Sequence, residues 1–336
     1  MRRSKPTGQE RSMILFRKKI LLVFLMGLTF ILSCGQAEEP AGKDSRLKVI
    51  ATTFPLYDFA REIGGDKVAV TMLLPPASDA HHYELKPNDI VRVSKADIFL
   101  FTSFEMEQWA YKIINAAAEK TNMLAVETGQ GAALLPLPLS QDRDSGPSSL
   151  QHENDPDHTS RFDPHIWLDF ANAQKMIDNI ATAFINRDPQ NSEIYLQNAG
   201  DYKRKLTELD IRYRGALSNC KTRTILHAGH WAFAYLANRY QLHYRSAYNM
   251  SADAEPSPQQ MVDLIEQVKA QKLAYIYYED LFAPKLARTI ASETGAGLLK
   301  LSNGHDISKK DLQEGVSFIM LMEKNLVNLK KGMQCP

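Results

Sequence analysis

The chain has 336 residues, 44% of them hydrophobic and 24% charged, with 40 Lys/Arg against 39 Asp/Glu for a formal charge of +1. That length is enough for two lobes of ordinary domain size, and the charge gives no footprint of a nucleic-acid-binding protein. The balance is uneven: the first 33 residues hold seven Lys/Arg and one acid, a local +6, which leaves −5 for the remainder.

The apolar run from Ile20 to Ser33 follows the basic group Arg17, Lys18 and Lys19. It is shorter than the roughly 20 apolar residues of a comfortable membrane span, so residues 1–33 read as a secretory signal peptide, with an uncleaved anchor as the alternative. Its end, Ile31-Leu32-Ser33-Cys34-Gly35, resembles a bacterial lipobox in which Cys34 would be acylated and retained. The polar stretch that follows has little to bury, so residues 34–46 are expected to be a tether that ties the body to the membrane through a lipid anchor. Beyond Cys34 only Cys220 and Cys335 remain. Outside the cytoplasm they suggest one disulfide, two separate thiols being the other possibility.

Val49–Thr53, Val68–Leu74, Ile98–Thr102 and Met123–Val126 are apolar runs without alternation, as in buried parallel strands. Helical spacing occupies Tyr57–Ile63, Lys86–Lys95 and Glu105–Lys120 between them. Pro136–Phe162 is aperiodic and polar, hence a loop. Helices follow at Ala171–Asn186 and Asn191–Leu217, broken at Asp188-Pro189. A second set has strands at Thr224–Leu226, Ala274–Tyr278 and Leu298–Leu301, with a further strand around His243. Its helices are His230–Tyr240, Pro258–Ala270, Pro284–Thr294 and Ser308–Lys331. Alternating strands and helices predict an α/β fold of two lobes, each a mainly parallel sheet flanked by helices. The lobes are expected at residues 47–189 and 218–336, joined by one long rigid helix over 190–217.

Nine histidines occur. His81, His165, His230 and His305 lie just beyond predicted strand ends or at the close of a loop, two in each lobe. In open α/β sheets ligands bind at the carboxyl ends of strands, so facing lobes would bring four imidazoles together. Neutral imidazole suits zinc, copper, iron or nickel, and zinc accepts four such ligands tetrahedrally, so a metal site is expected between the lobes. His227 and His243 read as structural. Glu84, Asp169 and Glu279 are candidates to orient the rings from behind. The loop 141–162 holds His152 and His158 among acidic residues, either as a metal-gathering loop or as an ordinary solvated one.

Several segments resemble the ZnuA-like family, the zinc- and manganese-binding solute-binding proteins of metal ABC importers. They are Thr52-Thr53-Phe54-Pro55-Leu56-Tyr57, Leu74-Pro75-Pro76 with His81-His82-Tyr83-Glu84, Asp163-Pro164-His165-Ile166-Trp167-Leu168-Asp169, Gly229-His230-Trp231-Ala232-Phe233-Ala234-Tyr235, and Pro284-Lys285-Leu286 through Glu293-Thr294-Gly295. The resemblance runs from about Lys48 to the C-terminus. It implies a monomeric extracytoplasmic protein that hands Zn2+ to a membrane permease. It also implies a first ligand at His81, with His82 as neighbour and rival. The family places an Asp or Glu ten residues after the position of Gly295. Here that position is His305, with Asp306 as the alternative ligand. An all-histidine set favours zinc over manganese. The rival readings are a manganese or iron importer subunit, a secreted zinc hydrolase or an adhesin. No His-Glu-x-x-His, Gly-x-Ser-x-Gly or Gly-rich phosphate loop supports an enzyme.

Overall fold

The computed structural model describes residues 45–118, 121–137, 162–248, 257–279, 284–305 and 307–336. The expected signal peptide, Cys34, most of the tether, His152, His158 and Asp306 lie outside these residues. No helix among the described residues is long and apolar enough to cross a membrane.

The first sheet alternates β1 (Leu47–Ala51), α1 (Phe54–Gly64), β2 (Val68–Met72), α2 (Pro87–Val93), β3 (Ile98–Phe101), α3 (Ala110–Ala118) and β4 (Leu124–Glu127). All its pairings are parallel, in the order β2-β1-β3-β4. The second holds β5 (Thr224–His227), α6 (Ala234–Arg239), β6 (His243–Ser246), α7 (Pro258–Ala270), β7 (Tyr275–Tyr278), α8 (Pro284–Thr294) and β8 (Gly297–Lys300), again parallel, in the order β6-β5-β7-β8. The all-apolar strands follow from burial: every residue of β3, Ile-Phe-Leu-Phe, is buried, because helices cover both faces of such a sheet.

Between the sheets run α4 (Phe170–Arg187) and α5 (Ser192–Leu217); α9 (Lys309–Gln313) and α10 (Phe318–Gly332) close the chain. The 26 residues of α5 span about 39 Å. Tyr195, Ala199, Tyr202, Leu206, Leu209, Tyr213 and Leu217 recur at helical spacing and are all buried, a single apolar stripe. It packs on α4, on α1 of the first lobe and on α10 of the second. The strut is therefore sunk along its length, and one core runs from Val49 to Met333 through it. A smaller cluster around Leu226, Leu264, Ile276 and Ile290 lies in the second lobe. Asp58 of α1 ties the three helices, accepting from Tyr202 Oη at 2.8 Å and from Phe318 N at 3.0 Å. Burial pushes its carboxyl up to about 6.

Three predicted helices differ from the observed ones. Ser308–Lys331 is two helices, because Gly315 takes φ +70° and ends α9, after which Ser317 accepts from Met320 N and starts α10 afresh. The stretch Glu105–Lys120 becomes helical only at Ala110, and His230–Tyr240 only at Ala234. In both, a buried carboxylate claims backbone N–H groups of the segment just before or at the expected start.

Cys220 and Cys335 are joined by a disulfide across a sequence separation of 115. It stands where α5 has ended and β5 has not begun, beside the hydrogen bond Thr222 N to Met333 O of 3.1 Å.

Candidate metal centre

His81, His165, His230 and His305 converge: one ring nitrogen from each lies within 4.8 Å of the others. The six ring-centroid distances run from 5.2 to 6.3 Å. A tetrahedron with Zn–N of 2.0–2.1 Å has its nitrogens about 3.3–3.4 Å apart. His165 Nε2 and His230 Nε2 already stand 3.4 Å apart. The arrangement can therefore hold a metal ion with small adjustments of the other two rings.

The rings of His165 and His230 are held from behind by carboxylates. His165 follows the end of the 138–161 segment, whose flanks are pinned by an antiparallel bridge between Pro136 and Phe162. Tyr235 Oη accepts from Leu135 N at 3.0 Å and donates to Asp163 O at 2.9 Å. The side chain of Asp163 meets His165 Nδ1 at 2.8 Å and accepts from Trp231 Nε1 at 3.0 Å. His230 lies beyond β5, and its Nδ1 meets Glu279 Oε1 at 2.6 Å while its backbone N donates to the same oxygen at 3.0 Å. Glu279 Oε2 in turn accepts from Asn303 Nδ2 at 2.8 Å, and Asn303 Oδ1 accepts from His305 N at 3.0 Å. A carboxylate on Nδ1 fixes the tautomer and turns Nε2 toward the centre. Gly229 makes room for this: a Cβ there would stand 2.6 Å from Glu279 Oε1 and 2.5 Å from His227 Cε1.

Burial governs the charge states. It drives His165 well below the ordinary imidazole value and His81 down to about 3, with the neighbouring rings adding to both. The two rings thus stay neutral and ready to ligate at neutral pH. Burial has the opposite effect on Asp163, raising it to about 7 despite the hydrogen bonds from His165 N and Trp231.

The His81 loop is braced by a group that sequence reasoning missed. Glu107 is fully buried at the carboxyl ends of β1 and β3, accepting from Thr52 Oγ1 at 2.5 Å, Thr102 N at 3.0 Å and Ser103 N at 3.2 Å. Two residues on, Trp109 Nε1 donates to Ala80 O at 2.8 Å, next to His81. From the other lobe, Ile307 O accepts from Ala77 N at 3.0 Å, so the loops bearing His81 and His305 touch. Burial pushes Glu107 up from its ordinary 4.5 to about 7. The folded value is the higher one, so its stabilisation is complete below pH 4.5 and is lost as pH rises through 7. Relative to Glu107→Gln, the unfolding free energy of the native chain should therefore fall by about 3 kcal/mol between pH 4.5 and pH 8. Urea denaturation of both metal-free proteins checks this, and parallel pH curves would contradict it.

The remaining expected groups fall elsewhere. His82 is the exposed partner of Asp79, with Nδ1 to Oδ2 of 2.9 Å, and His81 is the ring in the cluster. His227 is buried beside the cluster with its Nδ1 at 3.3 Å from His230 O, and His243 is exposed on the edge strand β6. Of the three acids named as possible supports, only Glu279 backs a ring. Asp169 instead caps α4 and pairs with Arg239 at 2.6 Å, and Glu84 is exposed. Asp163 was missed, although Asp-Pro-His placed it two residues from the ring it holds.

Comparison with known proteins places the chain as a whole. The chain is 32% identical over 319 residues to the zinc-binding lipoprotein AdcA of Streptococcus pneumoniae, covering 94% of this chain but 61% of that relative. It is 32% identical over 326 residues to the high-affinity zinc uptake system protein ZnuA of Bacillus subtilis, covering 94% and 98%. Thus the chain spans about three fifths of the AdcA relatives and nearly all of the Bacillus one. Among solved structures, the Zn(II)-bound ZnuA-like domain of S. pneumoniae AdcA superposes with a TM-score of 0.71 at 30% identity, over 86% of this chain and 99% of that one. The ZnuA family model, described as zinc-uptake complex component A, periplasmic, matches residues 49–332, and the chain belongs to that family.

Proposed function

We propose that this protein is the extracytoplasmic zinc-binding subunit of an ABC-type importer, capturing Zn2+ between its lobes and passing it to a membrane permease. His81, His165, His230 and His305 would be the ligands. In this reading residues 1–33 are removed, Cys34 carries the lipid anchor, residues 34–46 are the tether, and the protein works as a monomer. The observation that carries the reading is the convergence of four imidazoles from both lobes on one point. An all-nitrogen set suits zinc better than manganese, which takes more oxygen ligands. Relatives named for zinc binding and zinc uptake support the same cargo. Four protein ligands would close the shell, whereas a catalytic zinc keeps a position open for water, so the role is binding and delivery rather than hydrolysis.

The test is metal content and competition for the wild type, His305→Ala and Asp306→Ala. One zinc per chain, held against excess manganese and weakened only in the His305 variant, is the expected result. Preference for manganese, or weakening only on removal of Asp306, would put a carboxylate in the shell and reassign the cargo.

A further inference from the structure

Thr53 stands at the N-cap of α1, where a threonine hydroxyl ordinarily accepts from the first turn of the helix, yet its side chain makes no capping bond. Its neighbour Thr52 spends its hydroxyl on Glu107. Thr53 is 2% exposed, and its Oγ1 has no hydrogen-bond partner among the described residues. A buried hydroxyl left in that condition is costly and calls for an explanation.

A second feature lies beside it. Thr53 and His305 line the same cavity of about 10 Å³, together with Ser78 and apolar groups such as Phe54, Leu74, Pro75 and Ile307. That volume has room for a single water. The contact of Ala77 N with Ile307 O joins the two loops that line it. Ligation chemistry supplies the third part. A histidine that binds metal through one ring nitrogen almost always donates the other N–H to a carboxylate, a carbonyl or a water. For His165 and His230 the acceptors are Asp163 and Glu279.

We infer that Thr53 is a positioning residue for His305: its hydroxyl holds one water in this cavity, and that water accepts the proton of the ring nitrogen not used for metal. The inference rests on the zinc-binding reading above. It makes the first lobe an orienting partner of a ligand carried by the second, so that the His305 ring is set for metal only when the two loops meet.

The experiment is zinc affinity by competition with a chromophoric chelator, on the purified protein, for Thr53→Val, Thr53→Ser, His305→Ala and the double variant Thr53→Val/His305→Ala. The valine variant keeps the shape and loses the hydroxyl, and should bind zinc about tenfold more weakly, at the low end of losses for groups behind a ligand. The serine variant should stay close to wild type, and the valine substitution should add nothing in the His305→Ala background. The visible spectrum of the cobalt-loaded protein should shift in the valine variant and not in the serine one. Should the valine variant fail to fold, Thr53→Ala repeats the test. An unchanged affinity in the valine variant, an equal loss in the serine variant, or a loss that persists without His305 would overturn the inference. If instead the wild type binds no zinc tightly, or His305→Ala binds as well as wild type, the zinc reading itself falls and takes this inference with it.

Discussion

His165→Ala is expected to weaken zinc binding by two to three orders of magnitude. Structural zinc sites yield roughly 10–16 kcal/mol at neutral pH. Shared among four ligands, that is about 3–4 kcal/mol each, or a factor of some hundreds to a thousand. His165 is the ring with the most to lose, since its centroid lies 5.2, 5.3 and 5.7 Å from the other three. It is also fully buried, so no surface group can swing in to replace it. The variant would in addition leave Asp163 buried without its ring partner. Chelator competition at pH 7.5 measures the effect, with metal-free melting as the control for folding. An affinity within threefold of wild type would mean that the cargo is bound elsewhere.

The second large effect concerns stability and should leave the metal alone. Replacing Cys220 and Cys335 by serine opens a loop closed across a separation of 115 residues. The chain-entropy account puts the loss at about 4–5 kcal/mol, and a fall in melting temperature on the order of 10 °C follows. The bond stands before the start of β5, whereas His227 ends that strand and His230 lies beyond it. The disulfide is thus at the opposite end of the second sheet from the ligands, and zinc affinity should stay within about threefold of wild type. A melting temperature that does not move in the serine pair would show that residues near the C-terminus are held by packing alone.

The two lobes were legible because parallel strands buried on both faces must be apolar throughout, and Ile98–Phe101 and Tyr275–Tyr278 have that character. The four histidines could be picked out by their places beyond strand ends. What could not be read was how they are held. Glu107 sits in a segment with helical spacing, and nothing local says that its side chain turns back to bind Thr102 and Ser103. Asp163 and Asp169 flank the same motif, two residues before and four after His165, yet one backs the ring and the other caps a helix. That choice depends on where Trp231 and Arg239 arrive from the other lobe, which is tertiary information. Gly315 was a missed stop signal of the ordinary kind: a glycine past a short helical run, followed by a serine able to start the next.

The burial of α5 has a consequence for how the molecule can be taken apart. Tyr202 faces Asp58 and Phe59 of the first lobe, while Tyr213 Oη donates to Met322 O of the second at 2.6 Å. The same helix supplies a wall of each lobe, so a chain cut on either side of it leaves one half with an open apolar flank. The boundary drawn between lobes by function is no boundary for folding. Synthesis must reach α10 before the core shared by both lobes can close, and the four histidines meet only when both lobes are in place.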